Sequence, residues 1–201
     1  VSYVGYIPLI KQALNELPQE HVPNLLEVGI DRGTTLVPLV VHLARTRPRF
    51  LFSGVDVLVQ EQVRLIISNI DLSPEQRVAC IEGNSLDVLP VFVDGQARFD
   101  VILLDGDHNY HTVTRELAYA SQLVYPHTVI VVDDYDGRWS EKDLWYAERP
   151  GYENVSSVTK RVETEKHGVK AAVDDWLATN AGWTKIQPLK GEPVVLVQAI
   201  P

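Results

Sequence analysis

The sequence predicts an α/β fold: a mostly parallel seven-stranded sheet with helices on both faces and an antiparallel hairpin at the C-terminal end. Three observations carry that reading. Apolar runs of strand length alternate with segments of helical spacing from residue 24 onward. Two of these runs, Val101–Leu104 and Val129–Val132, end abruptly in carboxylates, Asp105 and Asp107 with His108 after the first, Asp133, Asp134 and then Asp136 after the second. Between them, residues 111–124 place Val113, Leu117, Ala120, Leu123 and Val124 on one helical face. A strand–helix–strand unit prefers parallel strands and a right-handed crossover, so both carboxylate groups emerge at the same sheet edge. That edge is where open α/β sheets bind ligands.

Taken in order, residues 3–17 carry Tyr6, Leu9, Ile10, Ala13, Leu14 and Leu17, the pattern of an amphipathic helix with Pro8 near its start. NLLEVGIDRGTTLVPLVVHLA follows: a strand through Val28, a glycine turn, and a helix ending near Arg47 and Pro48. Phe50–Val57 is a second strand with Asp56 at its tip, and the next helix carries Val63, Ile66, Ile67 and Ile70. Arg77–Glu82 is a third strand containing Cys80, and a short helix spans Leu86–Phe92. Asp94 and Gly95 turn the chain into the fourth strand. Residues 137–167 lack core periodicity but hold Trp139, Trp145, Tyr146 and Tyr152, which marks a lid or binding loop. Helical spacing resumes at 168–180, and Trp183–Leu189 and Pro193–Ile200, joined by Lys190, Gly191 and Glu192, form the hairpin. The chain is therefore expected to be one domain over residues 1–201, with an N-terminal helix in 1–20 and a lid at 137–167.

Composition narrows the function. With 18 Lys and Arg against 27 Asp and Glu, the formal charge is −9, so nucleic acid is not expected as a partner. No apolar stretch approaches the ~20 residues that cross a bilayer, and no signal peptide opens the chain, so a cytoplasmic protein without membrane contact is expected. The single cysteine, Cys80, excludes an internal disulfide and argues against a cysteine-based zinc site. Methionine is absent altogether, so the first residue is not taken as a native start.

The turn after the first strand contains Glu27, Gly29, Asp31, Gly33 and Thr34. Glycines let a ligand approach the backbone, and the helix that follows offers free N–H groups. The dinucleotide fingerprint G-x-G-x-x-G is not met: this chain has G-x-x-x-G, with Asp31 where the second glycine belongs. A carboxylate there repels a pyrophosphate, so Asp31 and Glu27 suit a cationic ligand. Asp56, at a strand tip, stands where a carboxylate accepts bonds from ribose hydroxyls. Ser85, after Asn84, also suits the start of a helix.

LLEVGIDRGTT, GVDV, IEGNSLDVLP and FDVILLDGDHNY, in this order, resemble the class I S-adenosylmethionine-dependent methyltransferases. DGDHNY followed by VIVVDDYD is similar to the small bacterial sugar and macrolide O-methyltransferases and the cephalosporin-hydroxylase-like group. It is also similar to the metal-dependent catechol and caffeoyl-CoA enzymes, which carry Asp-Asn where this chain has Asp133-Asp134. The resemblance implies a Rossmann-like three-layer sandwich with strand order 3-2-1-4-5-7-6. It implies that Glu27, Gly29, Gly33, Thr34, Asp56, Asn84, Ser85 and Asp105 bind S-adenosylmethionine. It places Asp105, Asp133 and Asp134 as metal ligands and His108 as a catalytic base. Homo-oligomers are compatible with it by analogy.

Three carboxylates suit Mg²⁺ or Mn²⁺. A hydroxyl beside such an ion loses its proton more readily, and His108 can accept it. The expected reaction is O-methylation of a small-molecule hydroxyl, on a sugar or vicinal diol. A cofactor-binding protein without turnover and an NAD-dependent oxidoreductase are the alternatives, the missing G-x-G arguing against the second.

Overall fold

The computed structural model describes residues 6–186 and 193–199. Its elements run α1 (Ile7–Glu16), β1 (Asn24–Val28), α2 (Leu36–Thr46), β2 (Phe50–Asp56), α3 (Glu61–Ser68), β3 (Gln76–Glu82), α4 (Ser85–Asp94), β4 (Phe99–Leu104), α5 (Tyr110–Ala120), β5 (Val124–Val132), a 3₁₀ turn at Tyr146–Glu148, α6 (Gly168–Thr179), β6 (Trp183–Ile186) and β7 (Val194–Gln198). Among the described residues the strands form one sheet in the order β3-β2-β1-β4-β5-β7-β6. β1 to β5 pair in parallel, while β7 runs antiparallel to both β5 and β6. The turn expected at Lys190–Glu192 lies outside the described residues, as does the expected helix start at residues 3–5.

β4 is buried at every position because helices cover both faces of the sheet. With a side-chain period of two, Val101 and Leu103 enter one core with Ile10, Leu14, Leu39 and Leu43. Ile102 and Leu104 enter the other with Leu89, Leu117 and Val173. β5 divides in the same way, Val129 and Val131 to the first core and Ile130 and Val132 to the second. Each such aliphatic side chain contributes about 1.5–3 kcal/mol relative to exposure. The two central strands are thus held rigidly, and so are the carboxylates at their ends.

Val124, read from the sequence as part of a helical face, belongs to β5. It pairs with Phe99, and the register then shifts before Val101 pairs with Val129. Thr128 is the reason: its hydroxyl donates to the Phe99 carbonyl at 2.6 Å and accepts the Tyr125 N–H at 2.7 Å. Arg47 closes α1 by donating to the Leu14, Leu17 and Pro18 carbonyls, the last two at 2.9 and 2.8 Å. A buried guanidinium thereby fastens α1 to the end of α2.

Residues 137–167 hold one 3₁₀ turn, and side chains fix the rest. Asp143 Oδ1 accepts the N–H groups of Tyr110 and Gly168, at 2.9 and 2.8 Å, so one carboxylate serves the first turns of both α5 and α6. Asn109, the N-cap of α5, donates to the Leu144 carbonyl at 3.2 Å. At the other end Asn84 donates to the Ser157 carbonyl at 2.8 Å, and the Ser157 hydroxyl to the Val57 carbonyl at 3.0 Å. The segment therefore lies over the carboxyl edge of the sheet. No helix among the described residues is long and apolar enough to cross a membrane.

Candidate active site

The glycine turn after β1 is built from left-handed residues, Gly29 (φ 89°), Asp31 (φ 43°) and Gly33 (φ 74°). Asp56 holds it in place: one carboxylate oxygen accepts the Ile30 and Asp31 N–H groups at 2.7 and 2.9 Å, the other the Leu58 N–H at 2.9 Å. Three of its roughly four acceptor positions are used on backbone, so its first task is to shape the turn. It also lines a narrow pocket with Gly29, Asn84, Ser85 and Asp105, bounded on the loop side by Tyr146, Tyr152 and Thr159.

Asn84 rather than Ser85 is the N-cap of α4, its side-chain oxygen accepting the Leu86 N–H at 2.9 Å. Its amide also donates to Thr159 Oγ1 at 3.1 Å, tying pocket wall to loop. Ser85 donates to Glu116 Oε1 at 2.6 Å. Glu116 is fully buried on α5, and burial pushes its carboxyl up to about 8. Gly33, expected at the cofactor, lines neither this pocket nor the next. An added Cβ would face Val37 Cγ2 at 3.0 Å and Val63 at 3.6 Å, because positive φ turns this residue towards α2 and α3.

A second, larger and partly open pocket contains Glu27, Thr34, Asp105, His108, Asp133 and Asp134, with Tyr6, Arg138, Trp139 and Arg149 around them. Gly29, Asp31, Asp105 and Tyr146 line both pockets, so the two meet at the end of β4. Glu27 is 2% exposed, and its Oε2 has no hydrogen-bond partner among the described residues. Burial and then the Asp56 charge hold its carboxyl well above the usual range. A buried, unpartnered acid beside a cavity fits a cationic ligand.

The ligand atoms of Asp105, His108 and Asp133 lie within 4.8 Å of one another. The Asp105 and Asp133 carboxyls stand side by side, and His108 Nε2 is 3.5 Å from Asp105 Oδ1. Burial, then the charge of Asp133, pushes Asp105 well up, and burial raises Asp133 as well. Burial lowers His108, against the pull of Asp133, which keeps the imidazole neutral. Two acids forced together are the arrangement a divalent cation relieves, so the residues fit such an ion.

Asp134, expected as a third ligand, stands on the other side of the ring, its Oδ2 3.7 Å from His108 Nδ1. Its φ is 58°, and burial raises its carboxyl, against the nearby Trp139 and Arg138 backbone N–H groups and the Arg138 charge. Sequence reasoning missed Tyr6, whose hydroxyl donates to Asp105 Oδ2 at 3.4 Å and lies 3.2 Å from Thr35 Oγ1. Its apolar spacing within the first helix concealed a polar tip aimed at the site. Arg138, Arg149 and Thr159 carried no pattern. Of the loop aromatics, Tyr146 faces both pockets, Trp139 faces the second, and Trp145 is buried in the packing of the loop onto the domain.

A family model described as a methyltransferase domain matches residues 26–135, more than half of the chain. The chain belongs to this methyltransferase family. Its fold is that of the class I methyltransferases. Among solved structures the methyltransferase is similar to MycE from the mycinamycin biosynthetic pathway, determined with Mg, SAH and mycinamycin VI, at 15% identity and a TM-score of 0.57. The alignment covers 98% of this chain and 51% of MycE, so this chain spans about half of that protein. CalS11, a TDP-rhamnose 3'-O-methyltransferase, aligns at 14% identity and a TM-score of 0.59, over 96% of this chain and 77% of its own. Human methyltransferase-like protein 13 with SAH aligns at 17% identity and a TM-score of 0.54, covering 96% and 80%. At these identities the likeness is one of fold. No curated protein sequence matches the chain.

Proposed function

We propose that this methyltransferase transfers the methyl group of S-adenosylmethionine to a hydroxyl of a small molecule, a sugar or vicinal diol. The observation that carries the reading is the convergence of Asp105, His108 and Asp133 where the two pockets meet. S-adenosylmethionine supplies an electrophilic methyl on a sulfonium, and a divalent cation supplies charge that makes a nearby hydroxyl more acidic. Asp105 and Asp133 would hold that cation. Mg²⁺ and Mn²⁺ prefer carboxylate oxygen to imidazole nitrogen, which leaves His108 for the proton.

The rest follows from the chain's own groups. Gly29 would let the cofactor approach the backbone at the joint of the pockets, and Glu27 offers an unpartnered carboxyl oxygen that a cationic ligand would engage, favouring its ionised form. Burial keeps His108 neutral, so its Nε2 can accept the acceptor's hydroxyl proton. Asp134, at the other ring nitrogen, orients the imidazole. As the oxygen–methyl bond forms, the methyl–sulfur bond breaks and its electron pair stays on sulfur. The loop from 137 to 167 keeps water away and aligns the reacting atoms through Tyr146 and Trp139. The Mg and SAH in MycE and the sugar substrate in the name of CalS11 support the same reading.

The test incubates the protein with methyl-labelled S-adenosylmethionine and Mg²⁺ against a panel of glycosides and diols. Label should move to a hydroxyl oxygen and stop moving when a chelator is added. Transfer indifferent to the chelator would remove the cation from the account, and label found only on nitrogen or carbon would remove O-methylation.

A further inference from the structure

We propose a second metal site, formed by His21, Asp100 and His127 at the opposite edge of the sheet, which takes a divalent transition ion of the Zn²⁺ class. Asp100 lies near the start of β4 and Asp105 just beyond its end, so five residues of strand put the two clusters roughly 16 Å apart. His21 comes from the α1–β1 connection and His127 from the early part of β5, where the register shift sets it outward.

The geometry converges on one atom. Nε2 of His21 is 2.8 Å, and Nε2 of His127 2.6 Å, from the same Asp100 Oδ1, and the three ligand atoms lie within 4.8 Å of one another. The rings meet edge to face, with centroids 5.8 Å apart at 83°. Supporting contacts hold each ligand in place, as at built metal sites. The Asn24 N–H donates to Asp100 Oδ2 at 2.7 Å, fixing the carboxylate with Oδ1 towards the histidines. Tyr125 stacks on His127 at 5.4 Å and 7°.

The donor set itself suits an ion. The Asp100 side chain is 1% exposed, and its ion-pair partners among the described residues are these two histidines. A divalent ion supplies positive charge and accepts both Nε2 lone pairs. The histidine side chains are 27% and 45% exposed, so water can complete the coordination. Two imidazoles with one carboxylate suit Zn²⁺ and its neighbours and not Mg²⁺. Occupancy would pin the α1–β1 connection to β4 and β5, and with it α1, before which Tyr6 reaches Asp105.

The test uses the full chain, free of any affinity tag and stripped with a chelator. An Asp105→Asn/Asp133→Asn background silences the active-site cluster. Zn²⁺ titrated against a chromophoric competitor should bind one equivalent, and adding His127→Gln or His21→Gln should weaken it by at least about 100-fold. Zn²⁺ at 100 times its Kd should raise the Tm of the background protein by roughly 5–10 °C, an effect that either histidine variant abolishes. Melting of the variants in chelator at the background temperature shows that they are folded. No Zn²⁺ binding by the background protein, or binding unchanged by both histidine substitutions, would overturn the site.

Discussion

A Cβ on Gly29 would stand 1.9 Å from the Asp105 carbonyl oxygen, so the β1 turn and the end of β4 touch backbone to backbone. The contact sets the width of the joint at which the two pockets meet. Gly29→Ala forces the strands apart and places a side chain at φ 89°, which costs about 2–5 kcal/mol. Denaturant unfolding should show that loss, with S-adenosylmethionine binding weakened alongside. Gly182→Ala, with nothing within 4 Å of its added Cβ, should change stability little and serves as the control.

Asp133 faces the second pocket and not the first. Asp133→Asn should therefore lower turnover about 10²–10³-fold and remove the response to Mg²⁺, with S-adenosylmethionine affinity little changed. His108→Gln should lower turnover by about 10²–10⁴-fold while leaving cation binding in place. If calorimetry shows that His108→Gln has lost the cation instead, the imidazole is a ligand and another group takes the proton.

Asn84 joins three structures at once: the start of α4, the first pocket and the loop at Ser157 and Thr159. Asn84→Ala should cost about 1 kcal/mol through the lost cap. Because the loop is also released, KM for S-adenosylmethionine should rise and limited proteolysis should quicken near residues 157–159.

Glu116 links stability to pH. Burial raises its carboxyl in the folded state to about 8, above its ordinary value of 4.5, so the folded protein holds that proton more tightly than the unfolded chain does. Its stabilising contribution is greatest below the ordinary carboxylate range and is lost as pH rises through about 8. Glu116→Gln keeps an acceptor for the Ser85 hydroxyl without the charge. Melting across pH should show parent and variant alike near pH 4 and the variant ahead by pH 8. A constant gap would mean that Glu116 is not the titrating group.

The fold was legible because strands buried on both faces must be apolar throughout and helices between them must keep one apolar face; Leu103 and Leu117 state this directly. The acids at the strand ends were legible because nothing in core packing calls for Asp105, Asp133 and Asp134 there. Their different placement was not: the φ of 58° at Asp134 and its position 3.7 Å from His108 Nδ1 leave no mark on spacing. Residues 137–167 resisted reading because Asp143, Asn109 and Asn84 hold them through side-chain bonds to backbone, which have no period. Val124 was misassigned because an apolar residue at a helix–strand junction fits both patterns.

The most direct measurement is calorimetric titration of S-adenosylmethionine into the purified protein, in Mg²⁺ and again in a chelator, with NAD as the comparison ligand. The account predicts one equivalent of S-adenosylmethionine bound in both conditions, no heat from NAD, and a separate heat from Mg²⁺ that Asp105→Ala removes. Silence from S-adenosylmethionine, or heat from NAD alone, would contradict the reading of the glycine turn on which the assigned chemistry rests.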